Sequence, residues 1–312
     1  MDLVTIIIPV FNYGFYLPET IDSLQQQTYS HWEALIIDDG SNDDTQAVVK
    51  RLSQHDRRIK YHCQPRRGVS AARNRGIDHA EGAYILFLDG DDLITPNKLA
   101  EHVSLLKCYD EVDMCYSDVY YFRNDNKSKL FFGRAGNRKW TIKLNGKGFE
   151  IISQFVAKNR FTTHCPLIRT QFLKSNKLRF DESICYKEDW DFWLRCVFSG
   201  ANIHYLASSE VYALVRVHSK SVSQKSINMD IATIRIRESI EQYIHSNTQL
   251  SPTQKTYLLK INNLKKRAPL KKMIYYNLNS LANLRKIYQT EPSKEFFICF
   301  IKALNEKRKD FF

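Results

Sequence analysis

Residues 84–92 read Tyr-Ile-Leu-Phe-Leu-Asp-Gly-Asp-Asp, and this stretch decides the fold. Its first five residues are apolar or aromatic and too few for a helix, which predicts a strand buried on both faces at the centre of an α/β sheet. The strand ends in three carboxylates, Asp89, Asp91 and Asp92, around Gly90. Because open α/β sheets bind ligands beyond the carboxyl ends of their strands, we expect a ligand site here.

The three acids predict a cation site. Bringing several carboxylates together costs free energy, because they repel each other, unless a cation balances their charge. A divalent ion, Mn²⁺ or Mg²⁺, takes carboxylate oxygens and keeps positions open for the oxygens of a diphosphate. The alternative is a solvated turn, because Gly and Asp are common turn residues. Thr95 as N-cap and Pro96 at the first helical position then predict a helix that holds the acids from the other side.

The earlier part of the chain repeats a strand, a loop and a helix. Strands are predicted at 4–9, 32–37 and 59–63. The repetition predicts an α/β fold with a mostly parallel central sheet and helices on both faces. In the second loop, Ser41 and Asp44 have the spacing of a capping box, which leaves Asp38 and Asp39 for ligand contact.

The third loop has glycine and arginine where a helix begins. Residues 65–76 contain Gly68, an expected N-cap at Ser70, and Arg73. Helix N-termini offer unpaired N–H groups and the positive end of the helix dipole, which suit a phosphate. A single arginine would more simply lie on a solvated helix face, but this cluster in this order favours an anion site.

Two further features follow a predicted strand at 114–121. Glu188 and Asp189 fall in the first turn of an amphipathic helix, where the helix dipole alone explains acidic residues. A lone histidine, His218, follows Arg216 and precedes serines. It is either a structural residue or part of a polar set that holds a metal and phosphate oxygens.

The net charge of +12 is concentrated at the end of the chain. Residues 225–312 contain 17 Lys and Arg against seven Asp and Glu, whereas residues 1–224 contain 29 against 27. Helices are predicted at 229–246, 252–266, 269–289 and 293–308. This basic α-helical extension predicts an anionic partner, and we expect the segment 265–276 to rest on a membrane surface. The alternatives are a helical cap on the core and a homodimer interface.

Composition and the lengths of the apolar stretches indicate the cellular compartment of the protein. The 43% hydrophobic content is ordinary for a soluble globular protein. A strand directly after Met1–Asp2 predicts no signal peptide, and no stretch reaches the roughly 20 apolar residues that span a bilayer. Seven cysteines without paired spacing predict reduced thiols and no zinc site. We therefore expect a cytoplasmic protein, peripheral at the inner face of the cell membrane.

Residues 1–224 resemble the family 2 glycosyltransferases, which are inverting enzymes of GT-A fold that use nucleotide sugars. The resemblance rests on six ordered segments: IIIPVFN at 6–12, IDDGS at 37–41, GVSAARN at 68–74, FLDGDD at 87–92, ED at 188–189 before WLR at 193–195, and RxHxxS at 216–221. Each segment is weak evidence alone, but their order and separations are specific. The resemblance does not extend over residues 225–312.

The resemblance implies roles for these residues. Asp189, or its neighbour Glu188, is the implied general base. The implied metal ligands are Asp91, Asp89 and His218. The residues expected to contact the nucleotide sugar are Pro9, Phe11, Asn12, Asp38, Asp39, Gly68, Arg73, Asp89 and Gly90.

We therefore expect a metal-dependent hexosyl- or N-acetylhexosaminyl-transferase. Its expected donor is a UDP-sugar and its acceptor a glycan or lipid-linked sugar in the synthesis of a surface polysaccharide, such as lipopolysaccharide or capsule. One alternative is a sugar nucleotidyltransferase, which would usually carry a glycine-rich loop with a lysine; residues 9–14 contain one glycine and no lysine. The other is a non-enzymatic nucleic-acid binder that uses the basic tail. If the protein is a glycosyltransferase, no nucleic acid is expected as a partner.

Overall fold

The computed structural model describes residues 2–132, 141–218, 227–290, 292 and 294–309. The chain forms two compact units, one of residues 1–155 and 159–221 and the other of residues 156–158 and 222–312. In the parts of the chain that the structure describes, the first unit contains strands and helices, and the second contains helices.

The first unit alternates strands with helices over most of its length. The strands are β1 (Val4–Val10), β2 (Trp32–Asp38), β3 (Ile59–Cys63), β4 (Tyr84–Phe87), β5 (Leu93–Ile94), β6 (Met114–Tyr116), β7 (Asp118–Arg123), β8 (Asn126–Phe131), β9 (Pro166–Arg169), β10 (Ile203–Tyr205) and β11 (Tyr212–Val217). The helices are α1 (Leu17–Gln25), α2 (Thr45–His55), α3 (Val69–His79), α4 (Lys98–Cys108), α5 (Phe149–Ala157), α6 (Thr170–Ser175) and α7 (Glu188–Phe198).

The central sheet has seven strands in the order β10-β6-β9-β4-β1-β2-β3. β1 is parallel to β2 and β4, β2 is parallel to β3, and β6 is parallel to β10. β9 is antiparallel to both of its neighbours. Every residue of β1, β2 and β4 is buried, as in a sheet covered on both faces. The predicted α/β fold with a mostly parallel central sheet is confirmed.

The predicted single strand at 114–121 is wrong. The chain passes from β6 in the central sheet to β7 in a four-stranded sheet of order β5-β11-β7-β8. Ser117 lies between the two strands and is fully buried. Its Oγ accepts a hydrogen bond from Lys98 Nζ at 3.1 Å, and its carbonyl oxygen lies 3.3 Å from the Sγ of Cys165. Because the groups of Ser117 have these partners outside the strand ladder, the chain can change sheets here.

The predicted cap of α4 at Thr95 is also wrong. The helix begins at Lys98, and Asn97 is its N-cap residue. Thr95 Oγ1 instead donates a hydrogen bond to the carbonyl oxygen of Tyr212 at 3.1 Å, and it accepts the N–H of the same residue at 3.0 Å. The side chain that the sequence suggested as a cap therefore holds the start of β11.

Two other predicted helix starts need correction. α2 begins at Thr45 with Asp44 at the N-cap position, but no side-chain capping bond forms. The Oγ of Ser41 accepts the N–H of Asn12 at 2.9 Å instead of capping α2. The N-cap of α3 is Gly68 rather than Ser70. Gly68 has a φ of 94°, which a residue with a Cβ rarely adopts.

The second unit consists of α8 (Ile227–Ser246), α9 (Pro252–Asn277), α10 (Leu281–Thr290) and α11 (Lys294–Lys309). The predicted break before Pro269 is wrong, because α9 continues through this proline. A proline inside a helix costs about 3 kcal/mol. Burial of the residues that follow it opposes this cost: Leu270 and Ile274 are fully buried in an apolar core with α10 and α11. A helical extension is therefore present.

Much of the segment 265–276, which was expected to rest on lipid headgroups, packs or forms ion pairs within this unit. Its apolar residues Leu270, Met273 and Ile274 belong to the core. Its basic residues Arg267 and Lys271 form ion pairs with α11, to Glu295 at 2.7 Å and Glu306 at 2.8 Å. No helix in the described ranges combines the length and apolarity that crossing a bilayer requires.

Candidate functional site

Parallel strands β1, β2 and β4 direct three loops toward one edge of the sheet. The loop after β4 carries the acids at 89–92, the loop after β1 carries residues 11–14, and the loop after β2 carries residues 39–44. Because these strands run in the same direction, their carboxyl ends meet, and the topology brings the predicted motif residues together.

The acid loop is a tight turn packed against β1. The N–H of Asp92 donates to the carbonyl oxygen of Asp89 at 3.0 Å, and the Oγ1 of Thr20 donates to the carbonyl oxygen of Gly90 at 3.1 Å. A Cβ atom at position 90 would lie 2.7 Å from the Cγ1 of Val10. Only glycine therefore lets the turn lie this close to the neighbouring strand.

Arg73 connects the acid loop to α7. Its guanidinium donates to Asp89 Oδ1 at 2.8 Å and to Glu188 Oε1 at 2.9 Å, and its side chain is only 2% exposed. Burial disfavours ionisation of Asp89, but the charge of Arg73 outweighs it and holds the pKa of Asp89 below its usual value. The structure thus joins two motifs that lie about 100 residues apart through one guanidinium.

Asp91 and His218 form a contact on one side of the acid loop. The Nε2 of His218 lies 2.8 Å from Asp91 Oδ2, and the ring of Tyr16 stacks on the imidazole with centroids 4.9 Å apart. Burial, and then the charge of Asp89, raise the pKa of Asp91. Ser221, the last residue of the same motif, lies outside the described residues.

Asp92 and His164 form a second contact, which the sequence did not predict. Asp92 Oδ1 accepts the N–H of Arg216 at 2.7 Å, and Asp92 Oδ2 lies 3.1 Å from His164 Nδ1. Burial and the charges of Asp91 and Asp89 raise the pKa of Asp92. Burial lowers the pKa of His164 to about 4, so its ring is neutral at pH 7.

These residues have the chemistry of a divalent-cation site. Potential ligand atoms of Asp89, Asp92 and His164 lie within 4.8 Å of one another. The raised pKa values of Asp91 and Asp92 reflect carboxylates that repel each other in a buried place, and a divalent cation would relieve this repulsion. The residues present therefore fit such an ion.

Glu188 and Asp189 have different surroundings although they are neighbours in the first turn of α7. Glu188 is committed to Arg73. Asp189 Oδ2 accepts a hydrogen bond from Asn159 Nδ2 at 2.9 Å, and its Oδ1 accepts the N–H of Trp190 at 2.8 Å. Burial and the charge of Glu188 raise the pKa of Asp189 to about 7. Asp189 can therefore take up a proton near neutral pH, which suits a general base.

Asp39 organises the loop before α3. Its carboxylate accepts the side-chain amide of Gln64 and the backbone N–H groups of Arg67 and Gly68, each at 2.8 Å. Like Asp39, Asp38 is buried. Its two oxygens accept the N–H of Ser41 at 2.8 Å and the hydroxyl of Tyr61 at 2.7 Å. Each carboxylate oxygen of Asp38 and of Asp39 therefore has a partner within the protein.

The loop after β1 also lies at this edge of the sheet and contacts the loops after β2 and β3. The guanidinium of Arg66 lies 4.0 Å from the ring centroid of Phe11, a cation–π contact. Asn12 has a φ of 58°, and its Oδ1 accepts the N–H of Asn42 at 2.9 Å. Pro9 is a buried residue of β1, and Val10 separates it from the loop.

Comparison with known proteins identifies the family. The family model described as glycosyl transferase family 2 matches residues 5–169. This chain belongs to glycosyltransferase family 2. An uncharacterized glycosyltransferase of Rickettsia typhi is 32% identical over 226 residues, which cover 72% of this chain and 67% of that protein. The glycosyltransferase GlyA of Streptococcus pneumoniae is 34% identical over 136 residues, which cover 44% of this chain and 19% of GlyA.

Solved structures of other proteins share the fold of this family 2 chain. S. aureus TarS residues 1–349, in complex with UDP-GlcNAc, superposes with a TM-score of 0.71 at 17% identity over 99% of this chain and 92% of that one. The mannosyltransferase PcManGT of Pyrobaculum calidifontis, in complex with GDP-Man and Mn²⁺, has a TM-score of 0.55 at 16% identity over 98% and 87%. At these identities the likeness establishes the fold, which is of GT-A type.

Proposed function

We propose that this glycosyltransferase moves a sugar from a UDP-linked donor to a hydroxyl of a glycan or lipid-linked acceptor with inversion of configuration. One observation supports this most: Arg73 hydrogen-bonds to both Asp89 and Glu188. The acid loop, suited to a cation that would bind a diphosphate, and the first turn of α7, which carries Asp189, are thereby joined by one buried side chain.

Asp189 is the proposed general base. With a pKa of about 7 it is partly ionised at neutral pH and still basic enough to accept the proton of an attacking hydroxyl. Glu188 is less suited to this role because Arg73 occupies its carboxylate. A hydroxyl that attacks directly, on the side opposite the departing diphosphate, gives an inverted product.

Asp89, Asp91 and His218 are the proposed ligands of Mn²⁺ or Mg²⁺. A bound divalent cation would stabilise the negative charge that develops on the departing diphosphate. The proposal is supported by the contact between Asp91 and His218 and by the raised pKa of Asp91. The Mn²⁺ named in the PcManGT complex is consistent with it.

The nucleotide is proposed to bind between the loops after β1 and β2. Phe11 offers a ring face, Asp39 a carboxylate, and Gly68 and Arg73 the start of α3. The remaining residues proposed for this site are Pro9, Asn12, Asp38 and Gly90, and Asp38 supports the loop after β2. UDP as the nucleotide, with a hexose or N-acetylhexosamine as the sugar, is supported by the TarS complex with UDP-GlcNAc.

We propose that residues 1–224 form the catalytic domain and that residues 225–312 attach it to an anionic membrane at the cytoplasmic face. Phe297 and Ile301 are 54% and 58% exposed on one side of α11, and Leu304 continues this side one turn later. Lys302 is exposed beside them, and the extension has a large basic surplus. Exposed apolar residues with basic neighbours suit the surface of an anionic bilayer, where a lipid-linked acceptor for surface polysaccharide would lie.

Vesicle co-sedimentation tests this attachment. The full chain is expected to bind vesicles that contain phosphatidylglycerol in low salt and to release them in high salt. The double change Phe297→Ser and Ile301→Ser should reduce binding severalfold, whereas Leu264→Ser, an exposed apolar site on α9, should not. Equal binding by both variants, or a wild-type dimer that the double variant loses in light scattering, would reject membrane attachment.

The transfer activity is tested by a screen of nucleotide sugars with Mn²⁺, read by thermal stabilisation and by release of the nucleotide. A UDP-sugar is expected to stabilise the protein and to be turned over. Asp91→Ala should abolish the cation-dependent part of both signals. Asp110→Ala, at a carboxylate that is 99% exposed, serves as the control. A folded protein that ignores every nucleotide sugar with either cation would refute the proposal.

A further inference from the structure

His164 is a buried imidazole at the acid loop that is not among the ligands Asp89, Asp91 and His218. It lies in the segment between α5 and β9, and it is 2% exposed. Among the described residues, its Nδ1 has no hydrogen-bond partner. Asp92 Oδ2 is 3.1 Å away, but the direction of this contact is not that of a hydrogen bond. A buried ring nitrogen without a partner needs an explanation.

The other ring nitrogen indicates which tautomer is present. Nε2 of His164 lies 3.1 Å from the Oγ1 of Thr162 within hydrogen-bond geometry. If this nitrogen carries the proton and donates to the hydroxyl, the lone pair of the neutral ring is on Nδ1. Metal-ligating histidines have this arrangement, in which one nitrogen donates to the protein and the other faces the metal.

The distance to Asp92 is that of two ligands on one ion. An Nδ1 lone pair and a carboxylate oxygen repel each other when they face at 3.1 Å without a proton between them. Ligand atoms at about 2.1 Å from an ion in octahedral geometry are about 3 Å apart when they are neighbours in the shell. The spacing therefore suits a cation that both atoms touch.

Asp89 completes the group from the open side. A carboxylate oxygen of Asp89 lies within 4.8 Å of the ligand atoms of Asp92 and His164. The side chain of Asp89 is 34% exposed, whereas Asp92 and His164 are almost fully buried. A cation can therefore reach the group at Asp89 and keep positions open toward the donor.

We propose that His164 is a nitrogen ligand of the divalent cation at the acid loop, with Asp92 beside it and with Asp89 common to this group and to the ligand set proposed above. The inference rests on the proposed function, which already assigns a cation to this loop. Two histidines then lie at the loop: His218 beside Asp91 and His164 beside Asp92.

A nitrogen ligand has a consequence for the choice of ion. Mg²⁺ prefers oxygen ligands and ideal geometry, whereas imidazole raises the affinity for transition metals. The wild-type chain should therefore bind Mn²⁺ more tightly than Mg²⁺. His164→Gln, which removes the imidazole, should reduce this preference.

Pulsed EPR of Mn²⁺ on the full chain, with and without UDP, is the direct test. Imidazole nitrogen coupled to Mn²⁺ should be present in the wild type, and it should persist in His218→Gln. In His164→Gln the coupling should fall, and Mn²⁺ affinity by calorimetry should fall roughly 10- to 100-fold. His102→Gln is the matched control, because His102 is equally buried but faces Ser117.

The result in His218→Gln keeps the test valid even if His164→Gln does not fold. Complete loss of the nitrogen coupling in His218→Gln would overturn the inference. So would wild-type Mn²⁺ affinity and an unchanged ratio of Mn²⁺ to Mg²⁺ affinity in folded His164→Gln. If the wild-type chain binds neither cation, the metal dependence of the proposed function fails as well, so the two failures are distinguishable.

Discussion

The carboxylates that touch Arg73 differ from those that lie just beyond it. Asp89 and Glu188 each accept a hydrogen bond from the buried guanidinium. Asp91 and Asp189 belong to the same two motifs but do not contact Arg73 by hydrogen bond, and the pKa of each is raised by burial and by its charged neighbour. One arginine thus pairs with the first carboxylate of each motif, whereas the second carboxylate, Asp91 or Asp189, has no hydrogen bond to it.

Exchange of the proposed base should have the largest effect. Asp189→Asn keeps the size and burial of the side chain but cannot accept a proton. We expect kcat to fall about 10²- to 10⁴-fold while UDP-sugar binding by calorimetry stays within a few-fold of wild type. Full turnover in Asp189→Asn, with loss in Glu188→Gln, would exchange the two roles.

Removal of the guanidinium should make the two classes of carboxylate alike. In Arg73→Met, Asp89 and Glu188 lose their shared cation, and a broken buried ion pair costs about 3–5 kcal/mol. Urea unfolding at neutral pH should show a loss of this size. Arg75→Met, on the same helix but bonded to the carbonyl oxygen of Cys63, should cost far less. Equal losses would mean that Arg73 has no special role.

The smallest expected effect concerns Asn159, which donates to Asp189. Its own orientation is set by the N–H of Phe161, which donates to Asn159 Oδ1 at 3.3 Å. Two charged groups also affect the pKa of Asp189: Glu188 on α7 raises it, and Arg73 on α3 lowers it. A hydrogen bond to an ionised group is worth about 1.5–3 kcal/mol, and about 1.4 kcal/mol corresponds to one pKa unit.

Asn159→Ala should therefore raise the pKa of Asp189 further, by roughly one unit or more. Because a base acts when it is deprotonated, the acidic limb of the pH profile of kcat should move toward higher pH. Activity should be lost near pH 7 and largely recovered near pH 9. Asn176→Ala, at a side chain that bonds its own helix, should leave the profile unchanged. A uniform loss of kcat at every pH would indicate a general structural defect instead.

The sequence predicted what depends on pattern and order. The apolar runs of β1, β2 and β4 can only be strands of a covered sheet, and their parallel direction brings the acid loop and the start of α3 to one edge. The order of the motifs then predicted the family. These inferences succeed because burial and chain direction are local properties with predictable global consequences.

The sequence failed where tertiary contacts override local preference. Thr95 has the features of a helix cap but pairs with β11, and Pro269 lies inside a helix because the core holds the residues after it. Asn159 and His164 are single polar residues without periodicity, in a segment that received no assignment. The antiparallel β9 returns this segment to the carboxyl end of β4, where His164 lies beside Asp92.

The contacts of Asp39 have a consequence for the thermodynamics of donor binding. Its carboxylate accepts the backbone N–H groups of Arg67 and Gly68, so the turn before α3 is fixed before a nucleotide binds at the proposed site. Little conformational entropy then remains to be lost when a nucleotide arrives. We therefore expect nucleotide binding at the turn before α3 to require little rearrangement of this loop.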